Sequence, residues 1–93
     1  MKDLSKIREE IDQIDGNLLT LLGKRMSLLP KVIEYKRSNQ LSILDAEREQ
    51  AIIDSRKSEA IKNGLSQNFV EELFQSILEE SRRIQQEIID EKS

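Results

Sequence analysis

LSKIREEIDQIDGNLLTLLGKRMSLLPKVIEYK, residues 4–36, is the stretch on which the fold turns. Within it Leu4, Ile7, Ile11, Ile14, Leu18, Leu21, Arg25, Leu28, Val32 and Tyr35 recur in alternating steps of three and four, the seam of a long packed helix. One seam position is an arginine. At about 100° per residue, Lys36 returns to within about 20° of Arg25, so both cations face the side that packs. Taking an unpaired charge out of water costs several kcal/mol, so an anion is expected there. For a lone arginine the usual solution is a salt bridge to a carboxylate of another helix. Two cations on one face, with a further arginine and two polar residues similarly placed elsewhere, shift the expectation to a bound ligand.

Outward from this stretch, Asp3 or Ser5 can cap the helix, which is expected to run to about Arg37. Asp15-Gly16 resembles a turn, Gly23 costs about 1 kcal/mol relative to alanine, and Pro30 removes a backbone hydrogen bond. The apolar repeat nevertheless keeps its phase across all three. The reading is one continuous helix bent at Pro30, whose ring lies about 140° from Arg25 and away from the seam. Ser38 to Leu44 reads as a loop with Leu41 and Ile43 tucked inward. Asp45 caps a second helix from Ala46 to Lys62, stopped by Asn63-Gly64. Ser66 caps a third helix reaching about Ile89, with Leu65 and Val70 placed as a staple and the last four residues frayed. Its stripe is Val70, Leu73, Phe74, Ile77, Ser81, Ile84 and Ile88, with a serine in a packing position and Gln85 one turn beyond it.

The chain has 93 residues, expected to form a single domain over residues 1–93. Three aromatics, one proline and abundant Leu, Ile, Glu, Lys and Arg make it all-α: one long N-terminal helix and two shorter ones. A net charge of −3, with basic residues spread among acidic ones, leaves no cationic face for a nucleic acid. No apolar run approaches the roughly 20 residues that span a bilayer, and Met1-Lys2-Asp3-Leu4-Ser5 is not the start of a signal peptide, so a soluble cytoplasmic protein is expected. The sequence contains neither cysteine nor histidine. Thiol and Ser–His nucleophiles cannot be built, and no metal or cofactor is implied. Any chemistry here works by fixed charge and positioning.

A helix of this length spans some 50 Å, more than two shorter helices of the same chain can cover. Its remaining apolar face calls for a second copy, and a homodimer is expected. Arg8 lies about 25 Å along the helix from Arg25, too far to share one small ligand, whereas an antiparallel second copy brings Arg8 toward Arg25 and Lys36. Taken alone, Arg8 is an ordinary exposed arginine. Arg25 and Lys36 are some 16 Å apart on one face, close enough for long side chains to converge on a metabolite. In Asp45-Ala46-Glu47-Arg48-Glu49, Asp45 is foremost a cap with a backbone amide open to a ligand. Arg48 falls on the inward row Leu44, Arg48, Ile52 and is expected buried. Glu49 is either a solvated first-turn acid or an acceptor for a ligand hydroxyl. Ser81 either bonds back to the Ile77 carbonyl or serves a ligand, and Gln85 points either to water or to the same ligand.

Read in order, Ile7-Arg8-Glu9-Glu10-Ile11-Asp12-Gln13-Ile14-Asp15, Leu21-Leu22-Gly23-Lys24-Arg25-Met26, Glu34-Tyr35-Lys36, Asp45-Ala46-Glu47-Arg48-Glu49 and the run from Phe74 to Gln85 resemble a chorismate mutase of the all-helical class, type II, over essentially the whole chain. The resemblance implies an intertwined three-helix homodimer with two active sites, each completed by the partner's N-terminal arginine. It implies the Claisen rearrangement of chorismate to prephenate, on the route to phenylalanine and tyrosine, without a cofactor. By the motifs, Arg25 and a partner's Arg8 would hold the carboxylates, and Lys36 a carboxylate and the ether oxygen. Gln85 would donate to that oxygen, Ser81 and Arg48 would serve the ring carboxylate, and Glu49 with the Asp45 amide would hold the ring hydroxyl. Pro30 departs from the pattern, and a kink there would alter the spacing of Arg25 and Lys36. Two other readings stand beside it: an isochorismate-pyruvate lyase of the same fold, and a non-enzymatic dimerisation or regulatory module whose seam cations pair with a partner's carboxylates.

Overall fold

The computed structural model describes residues 3–92, and all of its regular structure is helical: α1 (Leu4–Ser27), α2 (Leu29–Ser38), α3 (Ala46–Lys62) and α4 (Gln67–Lys92). Met1, Lys2 and Ser93 lie outside the described residues; of the last four residues, expected to fray, Asp90 to Lys92 are helical. Local chemistry sets the boundaries. The Asp3 carboxylate accepts the Lys6 amide, the Asp45 carboxylate the Arg48 amide and the Ser66 hydroxyl the Phe69 amide, each relieving one of the unpaired N–H groups of a first turn. The helix runs unbroken through Asp15-Gly16 and Gly23. At the other end α4 outruns the expected Ile89 by three residues, because Gln86 donates to Asp90 one turn on and supports the last turn.

The long first helix is not continuous. Proline carries no amide hydrogen, so Pro30 leaves the Met26 carbonyl without its usual donor, and its ring crowds that carbonyl. The chain answers two residues earlier than expected, at Leu28. The Leu28 amide tightens onto the Arg25 carbonyl at 3.3 Å, and the Ser27 hydroxyl takes over the Lys24 carbonyl at 2.7 Å. Helical bonding then restarts from the Leu28 carbonyl to Lys31 and Val32. Pro30 thereby falls in the first turn of α2, where its missing donor costs nothing. Since Leu28 keeps right-handed helical angles, φ −83° and ψ −14°, the break is one residue wide.

The ends of α2 and α3 use the same stop. At the end of α2 the Leu41 amide returns to the Lys36 carbonyl and the Gln40 amide to Arg37; at the end of α3 Leu65 returns to Ala60 and Gly64 to Ile61. This motif needs a left-handed residue, supplied by Gly64 at φ 69° and by Gln40 at φ 57°. Leu41, expected to tuck inward, is instead 55% exposed, because its amide holds it against the helix end rather than over α4. Ile43 is half-buried, as expected.

Ile52 and Ile53 of α3 pack against Leu78 of α4 with Phe74 at the edge, and Leu29 and Ile33 of α2 are buried with α2 lying on α4. α1 has no buried residue. The row of the first two helices that reaches the interior is Leu22, Met26, Leu29 and Ile33, with Arg25 and Lys36 along its edge. The seam read from the sequence, Leu4 through Tyr35, is exposed at every apolar position. It was expected to pack, and within this chain it does not, because α3 and α4 cover only the adjacent row around α2. Each large side chain left in water forgoes about 1.5–3 kcal/mol of burial.

Because a non-glycine residue at positive φ costs about 1–2 kcal/mol, Gln40→Gly is expected to stabilise the fold by about 1 kcal/mol. The measurement is the urea midpoint at unchanged slope, and a midpoint that stays put or falls counts against a strained Gln40.

Candidate active site

Arg25, at the end of α1, points to α4. Its Nη1 donates to the Ser81 Oγ at 2.9 Å, and Ser81, 5% exposed, passes its own hydrogen to the Ile77 carbonyl at 2.9 Å. Ser81 therefore does what the conservative reading held, and orients Arg25 as well. No carboxylate pairs with Arg25 among the described residues. Burial, then the nearby positive charges of Arg56 and Arg48, hold its guanidinium below the usual arginine range. Arginine stays charged regardless, so the effect is an energetic cost to the empty site rather than a loss of charge.

Lys36, near the end of α2, donates from Nζ to the Ile43 carbonyl at 2.7 Å and to Gln85 Oε1 at 3.2 Å. An ammonium has three donors and no acceptor, so one hydrogen remains for a ligand, and the Gln85 amide must turn its oxygen toward Lys36. That leaves Gln85 Nε2 as a donor with no protein partner among the described residues. Gln85 is 6% exposed, which excludes the outward orientation.

These groups share a cavity of ≈ 380 Å³ between the end of α1, α2, α3 and α4, roofed by Leu28, Val32 and Ile52. Asp45, Arg48 and Glu49, from the start of α3, line it too. The Asp45 side chain is committed to capping, and its own amide makes no hydrogen bond among the described residues. Arg48 was expected buried and is exposed, as is Leu44 before it; the row turns inward only at Ile52, since the first turn of α3 overhangs the cavity instead of entering the core. Glu49 is paired with Arg82 of α4. Arg8 lies exposed on α1 and does not line the cavity.

The structure thus brings together seven of the eight residues singled out from the sequence, all but Arg8. Three contributors went unread. Arg56 lines the cavity with its guanidinium over the Phe74 ring at 5.5 Å, and extending the row Arg48, Ile52 by one further turn would have found it. Arg82 follows Leu78 by one turn on the face that carries Ser81 and Gln85. The Ile43 carbonyl is a matter of loop geometry and left no mark in the sequence.

A guanidinium with no carboxylate partner among the described residues, an ammonium with a hydrogen to give, a neutral amide donor and a carboxylate, all on helices, make a preorganised site for a small dianion, with neither histidine nor cysteine in it. The chain belongs to the chorismate mutase type II family, whose model matches residues 7–86. It is 38% identical over 88 residues to the bifunctional chorismate mutase/prephenate dehydratase of Buchnera aphidicola subsp. Schizaphis graminum, an alignment covering 95% of this chain and 23% of that protein. To the chorismate mutase of Methanocaldococcus jannaschii it is 31% identical over 91 residues, covering 98% of this chain and 92% of the relative. To the isochorismate pyruvate lyase of Pseudomonas aeruginosa it is 39% identical over 75 residues, 81% of this chain and 73% of that one. The chain therefore spans less than a quarter of the bifunctional relative and nearly all of the archaeal one.

Arg25 opposes folding of the empty protein, through its own desolvation and its repulsion of Arg56 and Arg48. Arg25→Met is expected to raise the urea midpoint while abolishing binding of dianionic ligands, because replacing uncompensated interior charge by an apolar side chain is stabilising. A lower midpoint in that variant would show that Arg25 has a structural counter-charge after all.

Proposed function

We propose that this protein is a chorismate mutase, an isomerase that converts chorismate to prephenate without a cofactor. One observation carries the reading: Arg25 and Lys36 converge on one cavity and neither has a carboxylate partner among the described residues. Family membership and the near full-length match to the archaeal mutase support it.

In the Claisen rearrangement an ether C–O bond breaks as a C–C bond forms within one molecule, with no proton transferred. Catalysis then consists of holding the compact conformer and stabilising the negative charge that gathers on the ether oxygen. Arg25 grips a substrate carboxylate, held in aim by Ser81. Lys36 gives its remaining hydrogen to the substrate, and Gln85 Nε2 donates to the ether oxygen from the α4 side. Arg48, overhanging the mouth, serves the ring carboxylate, Glu49 accepts the hydrogen of the ring hydroxyl, and the Asp45 amide donates to the hydroxyl oxygen.

The reading includes a homodimer, a cytoplasmic setting and a single domain over residues 1–93. Support for the dimer comes from the exposed seam of α1, whose apolar side chains from Leu4 to Leu21 have no cover in this chain. Arg8 sits on that seam's helix, so a second copy laid antiparallel carries it to the cavity. No helix among the described residues is long and apolar enough to cross a membrane.

A second reading, isochorismate pyruvate lyase, has the relative of that name in its favour. Glu49 in the cavity wall favours the mutase, since a carboxylate there suits a substrate hydroxyl. Supplying chorismate and isochorismate separately decides between them: prephenate from the first is expected, and pyruvate released from the second with no prephenate from the first would replace the mutase by the lyase. Failure to bind a bicyclic dicarboxylate transition-state analogue would leave only a dimerisation module.

Lys36→Ala is expected to fold normally and to lose at least about 100-fold in kcat, the scale of removing a transition-state donor. A near-native rate rejects its role. Neither Arg8→Ala nor Lys36→Ala should be active alone, whereas their mixture, unfolded and refolded together, should regain about a quarter of the wild-type sites by random assortment into dimers. An inactive mixture, or a monomer by sedimentation at all concentrations, would remove Arg8 from the site.

A further inference from the structure

Arg82 is a cation of the cavity wall that already has an anion, and the anion is Glu49, the residue assigned to the substrate's ring hydroxyl. The pair joins α3 to α4, and its side chains are 34% and 23% exposed. An ion pair this open to water contributes little to stability, so its placement calls for another explanation.

Around Glu49 the cavity holds Arg25, Lys36 and Arg48, none paired with a carboxylate among the described residues. A free glutamate on a flexible stem would turn onto such cations, since attraction in a half-buried site is stronger than in water. There it would take the place of the substrate's own carboxylate. Arg82, on α4, already holds the Glu49 carboxylate. Together with Leu78, the Arg82–Glu49 pair lines both this cavity and a second groove between α3 and α4, whose wall carries Glu72 and Glu79. Arg82 and Glu49 thus stand on the wall that the cavity and the groove share. Among the described residues only Glu49 Oε1 is engaged, so Oε2 remains to accept a hydroxyl.

We propose that Arg82 is a positioning residue that holds Glu49 off the substrate-gripping cations, so that one site carries a carboxylate for the hydroxyl and unquenched cations for the carboxylates. This rests on the mutase reading and adds a determinant of substrate affinity to it.

The test is a double-mutant cycle in the full chain, with KM and kcat for chorismate and the affinity for the bicyclic dicarboxylate analogue as readouts. Arg82→Leu is expected to raise KM about 10-fold with kcat within about 3-fold, and to weaken the analogue in parallel, as a lost ground-state contact does. Removing the quenching charge should undo this: Arg82→Leu combined with Glu49→Gln is expected to return KM to within about 3-fold of Glu49→Gln alone. Arg82→Lys, which keeps the charge, should stay within about 3-fold of wild type. If Arg82→Leu does not fold by circular dichroism, Arg82→Gln replaces it with the same expectations. Additive effects in the cycle, or an unchanged KM on removing Arg82, overturn the proposal while the mutase reading stands. A wild-type protein that neither forms prephenate nor binds the analogue overturns both.

Discussion

An arginine with no counter-ion among the described residues, half-withdrawn from water at the end of α1, is the constraint around which the molecule is arranged. Such a group is held by whatever surrounds it, and here each neighbour raises the cost or makes it bearable. Arg56 and Arg48 raise it by repulsion. Ser81 makes it bearable, offering a lone pair to the guanidinium because its own hydrogen is already tied to the Ile77 carbonyl. The α3–α4 pair supplies the rigid support, with Ile52, Ile53 and Leu78 packed together and Ile52 and Leu78 lining the cavity. A serine in an apolar stripe and a glutamine one turn later are poor choices for packing, yet they are the two buried polar side chains of the described chain and the two that receive the cations.

The break at Leu28 belongs to the same arrangement. A proline in mid-helix ordinarily costs about 3 kcal/mol, and the chain avoids most of that by restarting the helix so that Pro30 occupies a first turn. Arg25 lies before the break and Lys36 after it, so the interruption falls inside the site's own span. Lys36 is then anchored from outside its helix, by the carbonyl of Ile43, and the loop that presents that carbonyl is held by the left-handed Gln40. The strain at one residue thus supports the aim of another. The fold accepts an awkward turn where a functional side chain needs an acceptor.

Helix ends were legible because their causes are local. Asp3, Asp45, Asn63-Gly64 and Ser66 each act on amides or carbonyls within a few residues, and α3 has the bounds that Asp45 and Asn63-Gly64 announce. The seam from Leu4 to Tyr35 was read correctly as apolar and helical, but periodicity states that a face wants cover without stating which neighbour gives it. Within the chain the cover went to the row of Leu29 and Ile33, one residue out of step. Arg48 failed for a related reason: the first turn of α3 lies against the cavity rather than the core, and the row turns inward only at Ile52. The pairing of Glu49 with Arg82, 33 residues apart, depends on how α3 lies against α4, which no local pattern encodes.

Two deficits of the isolated chain have the same remedy on the mutase reading. Its apolar seam lacks cover and its interior cations lack an anion, and each is a cost that the folded chain carries until something binds. A second copy covers the seam; the substrate's carboxylates neutralise the cations. A reaction without proton transfer asks little of side-chain chemistry, and a chain with neither histidine nor cysteine is well suited to it. What such a reaction does ask for is charge fixed in position before the substrate arrives, because donors already oriented need not reorganise as the ether bond breaks. Fixed charge is by nature destabilising to the protein that holds it. The stability that a salt bridge to Arg25 or Lys36 would have added is therefore the measure of what those residues keep available for the transition state.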